Sequence, residues 1–493
     1  MKEQSKLSKV LSILLSVVLV VSSFYLLYQV IRLNVLPSKF LFPLTIGVVV
    51  LDAIFILLLI YFSKNVVSKI VCIVLTLFIC VASCMGGYYI SKTQNVLSNI
   101  TNVAKHAKNT VSVIVKESSS IKNKSQLNGV SVGSLRLNEQ GSKKVLKELS
   151  SEGIVLNQTE YDSMTALLEA FYNGEVDSII INESSRSQIL DMEAYSNFDS
   201  NTRVVYQTSY KVKNNDSAAA VSDITSKPFN VLISGSDTRG GFDENGRSDV
   251  IMIATVNPKT HTILLTSVPR DFYVTTACDA GDGCMQGALD KITHTGIHGT
   301  NTTKRTVEQL LGIEINYTFK VGFDTVTELV DVLGGVDVYV EPGYATTTSE
   351  FSVHEGVNHL NAQQALAFAR ERYSYTEGDR QRTKNQQQVL MGIVKEATKP
   401  SVITNYAAIM DTMANTFSTT MSNAEITDLI KYQLNNNPTW KMEQYMVDGT
   451  GDTLMCAELG DAASVMVPDQ STVKMAKDKI NAVLAGKSSE DVK

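Results

Sequence analysis

Three stretches near the start of the chain hold almost no charge, and they limit its fold more than any other feature. Residues 10–31 lie between Lys9 and Arg32, residues 40–63 between Lys39 and Lys64, and residues 70–91 between Lys69 and Lys92. Each exceeds the roughly 20 residues a helix needs to cross a bilayer. Helices apolar all round are stable in lipid, where every backbone group must find its partner within the segment. The pattern predicts three transmembrane helices over 10–91 behind a cytoplasmic tail of residues 1–9. A cleaved signal peptide fits poorly, because the first stretch is long and two more follow it.

Orientation follows from the flanking cations. Lys2, Lys6 and Lys9 precede the first stretch, and Lys64 and Lys69 lie between the second and third. Arg32 and Lys39 flank the remaining loop. Positively charged flanks stay in the cytoplasm, which predicts an inner N-terminus and an extracellular chain from about residue 92 onward. Two short inner segments leave no room for a DNA-reading domain. Asp52 sits near the middle of the second stretch. An acid there is costly, and with no basic partner in the stretches a helix–helix contact is the expected use.

Composition then bounds the outer part. The chain has 493 residues and a net charge of −6. Residues 1–91 are basic, so the remainder is more acidic than the whole, and bulk attraction to nucleic acid is excluded. Cys72, Cys80 and Cys84 fall in the third stretch and read as small apolar residues. In CDAGDGC (278–284) the two cysteines can close a small disulfide loop, which leaves Cys456 odd. No CxxC spacing suggests zinc.

After a helical or linker stalk over 93–110, short strands and helices alternate. VSVIV (111–115), GVSVGSL (129–135) and RVVYQTSYKV (203–212) read as strands. YDSMTALLEAFYNGEVDSIIIN (161–182) reads as a helix stopped at Asn173–Gly174, followed by a strand. This predicts an extracellular α/β accessory domain over 98–213 and a polar linker over 214–228. At fold level the helix-to-strand phrase resembles half of a periplasmic solute-binding protein. A spacer or interaction module is the plainer expectation.

A second α/β domain is expected over 229–485, with a mainly antiparallel or mixed central sheet flanked by helices. Apolar runs at 230–233, 250–255 and 262–266 are strands, and NPKT (257–260) is the turn joining the last two. An antiparallel meander of these three brings Asp237, Asp249 and Arg270 to one edge of the sheet.

QALAFARERYSYTEGDRQRTKNQQQV (364–389) concentrates Arg370, Arg372, Arg380, Arg382 and Lys384 in an otherwise acidic chain. A helix starting near Asp379 puts Asp379, Arg382 and Gln386 on one face, which Val389, Leu390 and Ile393 continue into apolar packing. Its first turn favours a bound anion. Arg370 and Arg372 point to one side if their segment is extended. Solvated ion pairs with Glu371, Glu377 and Asp379 are the plainer alternative. His294 and His298 stand four apart, but without an HExxH motif packing or capping is expected of them rather than metal binding.

SGSDTRG (234–240), GRSDVIMI (246–253), SVPRDFYV (267–274), KITHTGIHG (291–299), VGFDTVTELVDVLGGVDV (321–338) and the arginine-rich stretch with its flanks (355–389) occur in this order. Together they resemble the LytR–CpsA–Psr family over essentially all of 229–398. Three spans followed by an accessory domain resemble its capsule branch. The resemblance implies a phosphotransferase that attaches a polyprenyl-pyrophosphate-linked glycopolymer, here a capsular polysaccharide, to peptidoglycan and releases polyprenyl phosphate. Other capsule-assembly proteins would be its partners at the membrane. Family functional positions match at Asp237, Arg247, Asp249, Arg270, Arg370, Arg372, Asp379, Arg382 and Gln386.

The chemistry of these side chains agrees. Arginine grips phosphate bidentately and stays cationic. Asp237 and Asp249 suit Mg²⁺, or Mn²⁺ in its place. Arg270, Arg370, Arg372 and Arg382 form the expected phosphate clamp, and Arg247 helps it or pairs with a carboxylate. Asp379 either orients an arginine or serves as base towards the sugar hydroxyl, and orienting is preferred because neighbouring guanidiniums lower its basicity. A non-catalytic regulator that binds the lipid precursor, and a polyprenyl-pyrophosphate hydrolase, remain alternatives at this stage.

Overall fold

A computed structural model of the chain describes residues 6–62, 65–103, 106–213, 218–236, 244–278, 283–399, 408–409, 412 and 417–492. The described residues fall into two compact units.

The first unit holds Met1–Asn99 together with Thr398–Ala414 and Ser422–Pro438. Its helices Lys6–Leu33, Ser38–Leu57 (extended by a π turn, Leu58–Phe62) and Val66–Val103 include three segments long and apolar enough to cross a membrane. Large apolar side chains such as Phe24, Phe42 and Phe78 lie exposed on them, the arrangement expected of faces solvated by lipid. Asp52 has a partner: Ser23 Oγ of the first helix donates to its Oδ1 at 2.9 Å. That hydrogen bond joins two helices and satisfies an acid that would otherwise be buried alone. The helix Asn423–Asn436 is tied to the turn between the first two helices. Lys431 Nζ donates to Asn34 Oδ1 at 2.8 Å, and Lys39 Nζ to Asn435 O at 2.7 Å.

The second unit holds Ile100–Ala397, Asn415–Met421 and Thr439–Lys493. Segment 106–213 and the larger domain after it thus form one compact body. The stalk expected over 93–110 is corrected: the helix runs to Val103, and a strand, β1 (His106–Lys116), already occupies the rest. Its run of Val111, Val113, Ile114 and Val115 is fully buried, as suits a short apolar strand covered on both faces. With β2 (Ser131–Leu135), β3 (Asn157–Tyr161), β4 (Ser178–Asn182) and β5 (Thr202–Lys213) it makes a sheet ordered β3-β2-β4-β1-β5. The helix Met164–Asn173 is capped by Ser163 and stops at Gly174, whose φ of +81° only glycine adopts at no steric cost.

In the larger domain β6 (Phe229–Ser236), β7 (Ser248–Asn257) and β8 (Thr262–Val268) form the expected antiparallel meander. Strand Tyr317–Gly322 adds in parallel beside β6, and Lys441–Met446 in parallel beside β8. Phe417–Thr419 closes a six-stranded mixed sheet. Leu232, Ile251, Ile253 and Leu264 of the meander bury their side chains against Val307 and Leu311 of helix Thr300–Leu311, and against Val473, Ala476 and Ile480 of helix Gln470–Leu484. A second core joins helices Ala362–Arg370 and Asp379–Ala397 to strand Val336–Val340 through Phe368, Val389, Val336 and Val338. Cys278 and Cys284 form a disulfide.

Candidate active site

The meander's register decides which side chains meet. Ser236 at the end of β6 pairs with Ser248 at the start of β7, and Ile251 of β7 with Val268 at the end of β8. Residues at the start of β7 and just after β8 therefore share one edge of the sheet. Arg270 Nη1 donates to Asp249 Oδ1 there at 2.6 Å, and both side chains are largely buried. Asp237 follows β6 but lies outside the described residues.

The segment Ile292–His298 closes behind this pair. Thr293 N donates to Arg270 O at 3.0 Å, and Thr293 Oγ1 approaches Asp249 Oδ1 at 3.4 Å. Gly296 lies flat against the chain at 246–248: a β-carbon there would fall 2.5 Å from Gly246 O and from Ser248 N. Ser234, Ser248, Thr303 and Thr295 link their hydroxyls in a buried chain at 2.9–3.0 Å. KITHTGIHG thus buttresses the sheet edge. His294 Nδ1 pairs with Asp290 at 2.7 Å and His298 Nε2 with Glu458 at 2.9 Å, the packing role expected of them.

The second half of the site comes from the start of helix Asp379–Ala397, where the sequence places it. Arg382 pairs with Asp379 one turn earlier. Arg382 keeps only 14% of its side chain exposed. Burial lowers the proton affinity of its guanidinium below the ordinary value. Asp379 and Asp249 oppose this, and Arg270 and Arg372 reinforce it. Arg270 shifts the other way, because Asp249 and Asp271 outweigh its burial, with Arg247 as a repulsive neighbour. Arg247, Asp249, Arg270, Arg372, Asp379 and Arg382 are therefore one electrostatic cluster drawn from four separate stretches of sequence. The Nε–H groups of Arg270 and Arg382 are buried and donate no hydrogen bond among the described residues. Buried donors without acceptors are rare in proteins.

Other expected site residues stand differently. Arg372 donates from Nη2 to the Tyr373 hydroxyl at 2.7 Å and stacks 4.7 Å from its ring, and Tyr373 is 85% exposed. Arg370 is exposed at the C-terminal end of its helix, a position that favours a cation on its own account. Gln386 is half-buried one turn beyond Arg382. Arg380 binds Asp448 at 2.8 Å and Lys384 binds Glu341 at 3.2 Å, so these two cations of the cluster serve ordinary ion pairs.

Sequence reasoning missed Asn385 and Gln387. Asn385 Nδ2 donates to Phe368 O at 3.0 Å, and Gln387 Nε2 to Tyr445 O at 2.8 Å. Their buried amides lock the Arg382 helix to its neighbours. Their i, i+2 spacing hides the role, since only the fold shows both faces of that helix to be covered. Sequence also missed Asp191 as a partner of Arg247.

As a metal site, Asp249 offers hard carboxylate oxygen of the kind Mg²⁺ takes. That ion needs only one or two protein carboxylates when phosphate and water complete its shell. Among the described residues no group of three or more His, Cys, Asp or Glu side chains could hold a metal unaided. The donor chemistry fits an ion that arrives with a phosphate ligand.

Comparison with known proteins places residues 194–482 in a match to the LytR_cpsA_psr family model. A polyisoprenyl-teichoic acid–peptidoglycan teichoic acid transferase TagU from Bacillus cereus (strain AH820) is 31% identical over 238 residues, 48% of this chain and 75% of the relative. TagU of Bacillus subtilis (strain 168) is 35% identical over 196 residues, 40% of this chain and 60% of that one. Among solved structures, B. subtilis TagU matches at 28% identity with a TM-score of 0.41, covering 52% of this chain and 97% of that chain. TagT bound to LIIa-WTA matches at 22% identity and a TM-score of 0.43, covering 55% and 97%.

Proposed function

Because the chain belongs to the LytR–CpsA–Psr family, we propose that it is a membrane-anchored transferase of a polyprenyl-diphosphate-linked glycopolymer to peptidoglycan. The carrying observation is the cluster of arginines at one sheet edge, with the Nε–H groups of Arg270 and Arg382 buried and donating to no acceptor among the described residues. A diphosphate supplies such acceptors in number, and planar guanidiniums match its geometry.

In this reading Arg247, Arg270, Arg372 and Arg382 bind the diphosphate, with Arg370 and Gln386 at the margin of the same site. Asp379 holds Arg382 in place. Asp249, with Asp237, would hold Mg²⁺ or Mn²⁺, which when bound supplies positive charge to neutralise the phosphate oxygens. A peptidoglycan hydroxyl attacks the phosphorus on the glycopolymer side. The bridging P–O bond breaks, and its electron pair leaves with polyprenyl monophosphate. The arginines favour this because they sit where that charge develops.

Capsular polysaccharide is the glycopolymer we assign, on the architecture of three spans before an accessory domain. The cation bias around the spans supports an extracellular site. The bonds from the turn between the first two helices to helix Asn423–Asn436 support it further, since a chain segment beyond the third span then shares a side with that turn.

The test uses the full chain in detergent micelles with a short polyprenyl-diphosphate oligosaccharide and peptidoglycan fragments, with and without Mg²⁺, and products identified by mass. Oligosaccharide joined to the fragments through a phosphodiester, with polyprenyl monophosphate released, is the expected result. Free oligosaccharide phosphate would mean hydrolysis. Donor bound but unchanged would mean a binding protein. Either would overturn the transfer reading.

A further inference from the structure

Segment 106–213 does more than separate the larger domain from the membrane. Its Asp191, the last residue of helix Arg186–Asp191, accepts a hydrogen bond from Arg247 Nη1. The pairing is lopsided: Arg247 keeps 8% of its side chain exposed and Asp191 59%. Arg247 is a like-charged neighbour of the buried Arg270. Repulsion between buried guanidiniums favours turning Arg247 away from the site, and an acid on its flank resists that turn.

The same module grips the chain three residues earlier. Buried Glu244 accepts from Lys108 Nζ at 3.1 Å and from Thr110 Oγ1, both on β1. Behind Asp191, Met192 packs against Cys456, Leu459 and Val465 of the larger domain. Thr165 N and Oγ1 both donate to Leu459 O, at 3.2 and 3.1 Å. Gly460 meets Ser163 so closely that a β-carbon there would lie 2.1 Å from Ser163 Cβ. Asp191 is thus held by a packed interface and not by a swinging loop. It also precedes residue 194, where the family match begins.

We infer that Asp191 is a positioning residue for the diphosphate site: the accessory module completes that site by fixing the guanidinium of Arg247 through Asp191 and the backbone before it through Glu244. The inference rests on the proposed reading of Arg247 as a diphosphate ligand, and it assigns the accessory module a part in donor recognition.

Direct binding of a short-chain prenyl-diphosphate sugar to the full chain in micelles tests it, with turnover followed in parallel. Asp191→Asn should weaken donor affinity by about ten-fold and lower the thermal unfolding midpoint only slightly, because Arg247 is buried but Asp191 itself is mostly exposed. Asp191→Glu should restore affinity to within about three-fold of the unsubstituted chain. In an Arg247→Ala background, Asp191→Asn should have no further effect, since the acid acts only through that arginine. Unchanged or tighter binding in Asp191→Asn would overturn the inference, as would an equal loss that persists in the Arg247→Ala background. If the unsubstituted chain binds donor but never turns it over, the transfer reading fails while the binding data still decide the role of Asp191.

Discussion

Replacing Arg382 by alanine is expected to slow polyprenyl phosphate release by about 10³-fold and to leave the fold as stable as before. The two halves of that result come from one environment. Arg382 is nearly buried between Arg270 and Arg372, and burial with like charge disfavours its cationic form. An arginine kept where the protein itself disfavours it gains its partner elsewhere, and its Nε–H has no acceptor among the described residues. Removing it relieves repulsion, so the unfolding midpoint should hold or rise. Arg382→Lys keeps the charge but loses the planar fork, and should recover only about ten-fold of the loss. Initial rates and thermal unfolding on the same preparations check this. A midpoint that drops by several degrees while the rate falls only slightly would show that Arg382 is there for stability.

Asp249→Asn should behave in the opposite way on stability. Asp249 accepts from Arg270 at 2.6 Å, and Arg270 retains only 19% of its side-chain exposure. Taking the acid away leaves a buried guanidinium with Asp271, at 3.7 Å, still beside it. The cost is about 3 kcal/mol, the lower end for a broken buried pair because Asp271 stays. Activity should fall by about 10²-fold or more, since Arg270 loses its alignment and the proposed metal loses a carboxylate. Denaturant unfolding gives the first effect, and rate against Mg²⁺ concentration gives the second. The substituted chain should need more Mg²⁺ to reach its own maximum. An unchanged Mg²⁺ response would remove Asp249 from the metal's ligands and leave it as the partner of Arg270 alone.

Much of this arrangement is legible in the sequence because it follows from local periodicity. Hydropathy alone marks the three membrane-length helices. The short apolar runs of β6, β7 and β8 with the NPKT turn give the meander, and the meander carries Asp249 and Arg270 to one edge. The 3.6-residue period sets Asp379 and Arg382 together at a helix start. What periodicity cannot supply is which distant segments meet. Asp191 and Arg247 are 56 residues apart in different sheets' neighbourhoods, and nothing in RSQILDM suggests a partner for a phosphate-site arginine. The expected helical or linker stalk over 93–110 holds as helix to Val103 and gives way to strand from His106 for a related reason. HAKNT is polar enough to read as linker, yet it pairs along its length with β5. Arg380 and Lys384 look like members of the cluster by spacing, but their side chains leave the helix on other faces and meet Asp448 and Glu341.

The account's central claim is that these arginines hold a diphosphate while the glycopolymer-side phosphorus changes partners. A single-turnover reaction tests it most directly, using donor labelled with ³²P only at that phosphorus and peptidoglycan fragments as acceptor. The account predicts that the label passes to the fragments with the oligosaccharide, and that the released polyprenyl monophosphate carries none. Label leaving with the lipid, or remaining in intact donor bound to the protein, would contradict it.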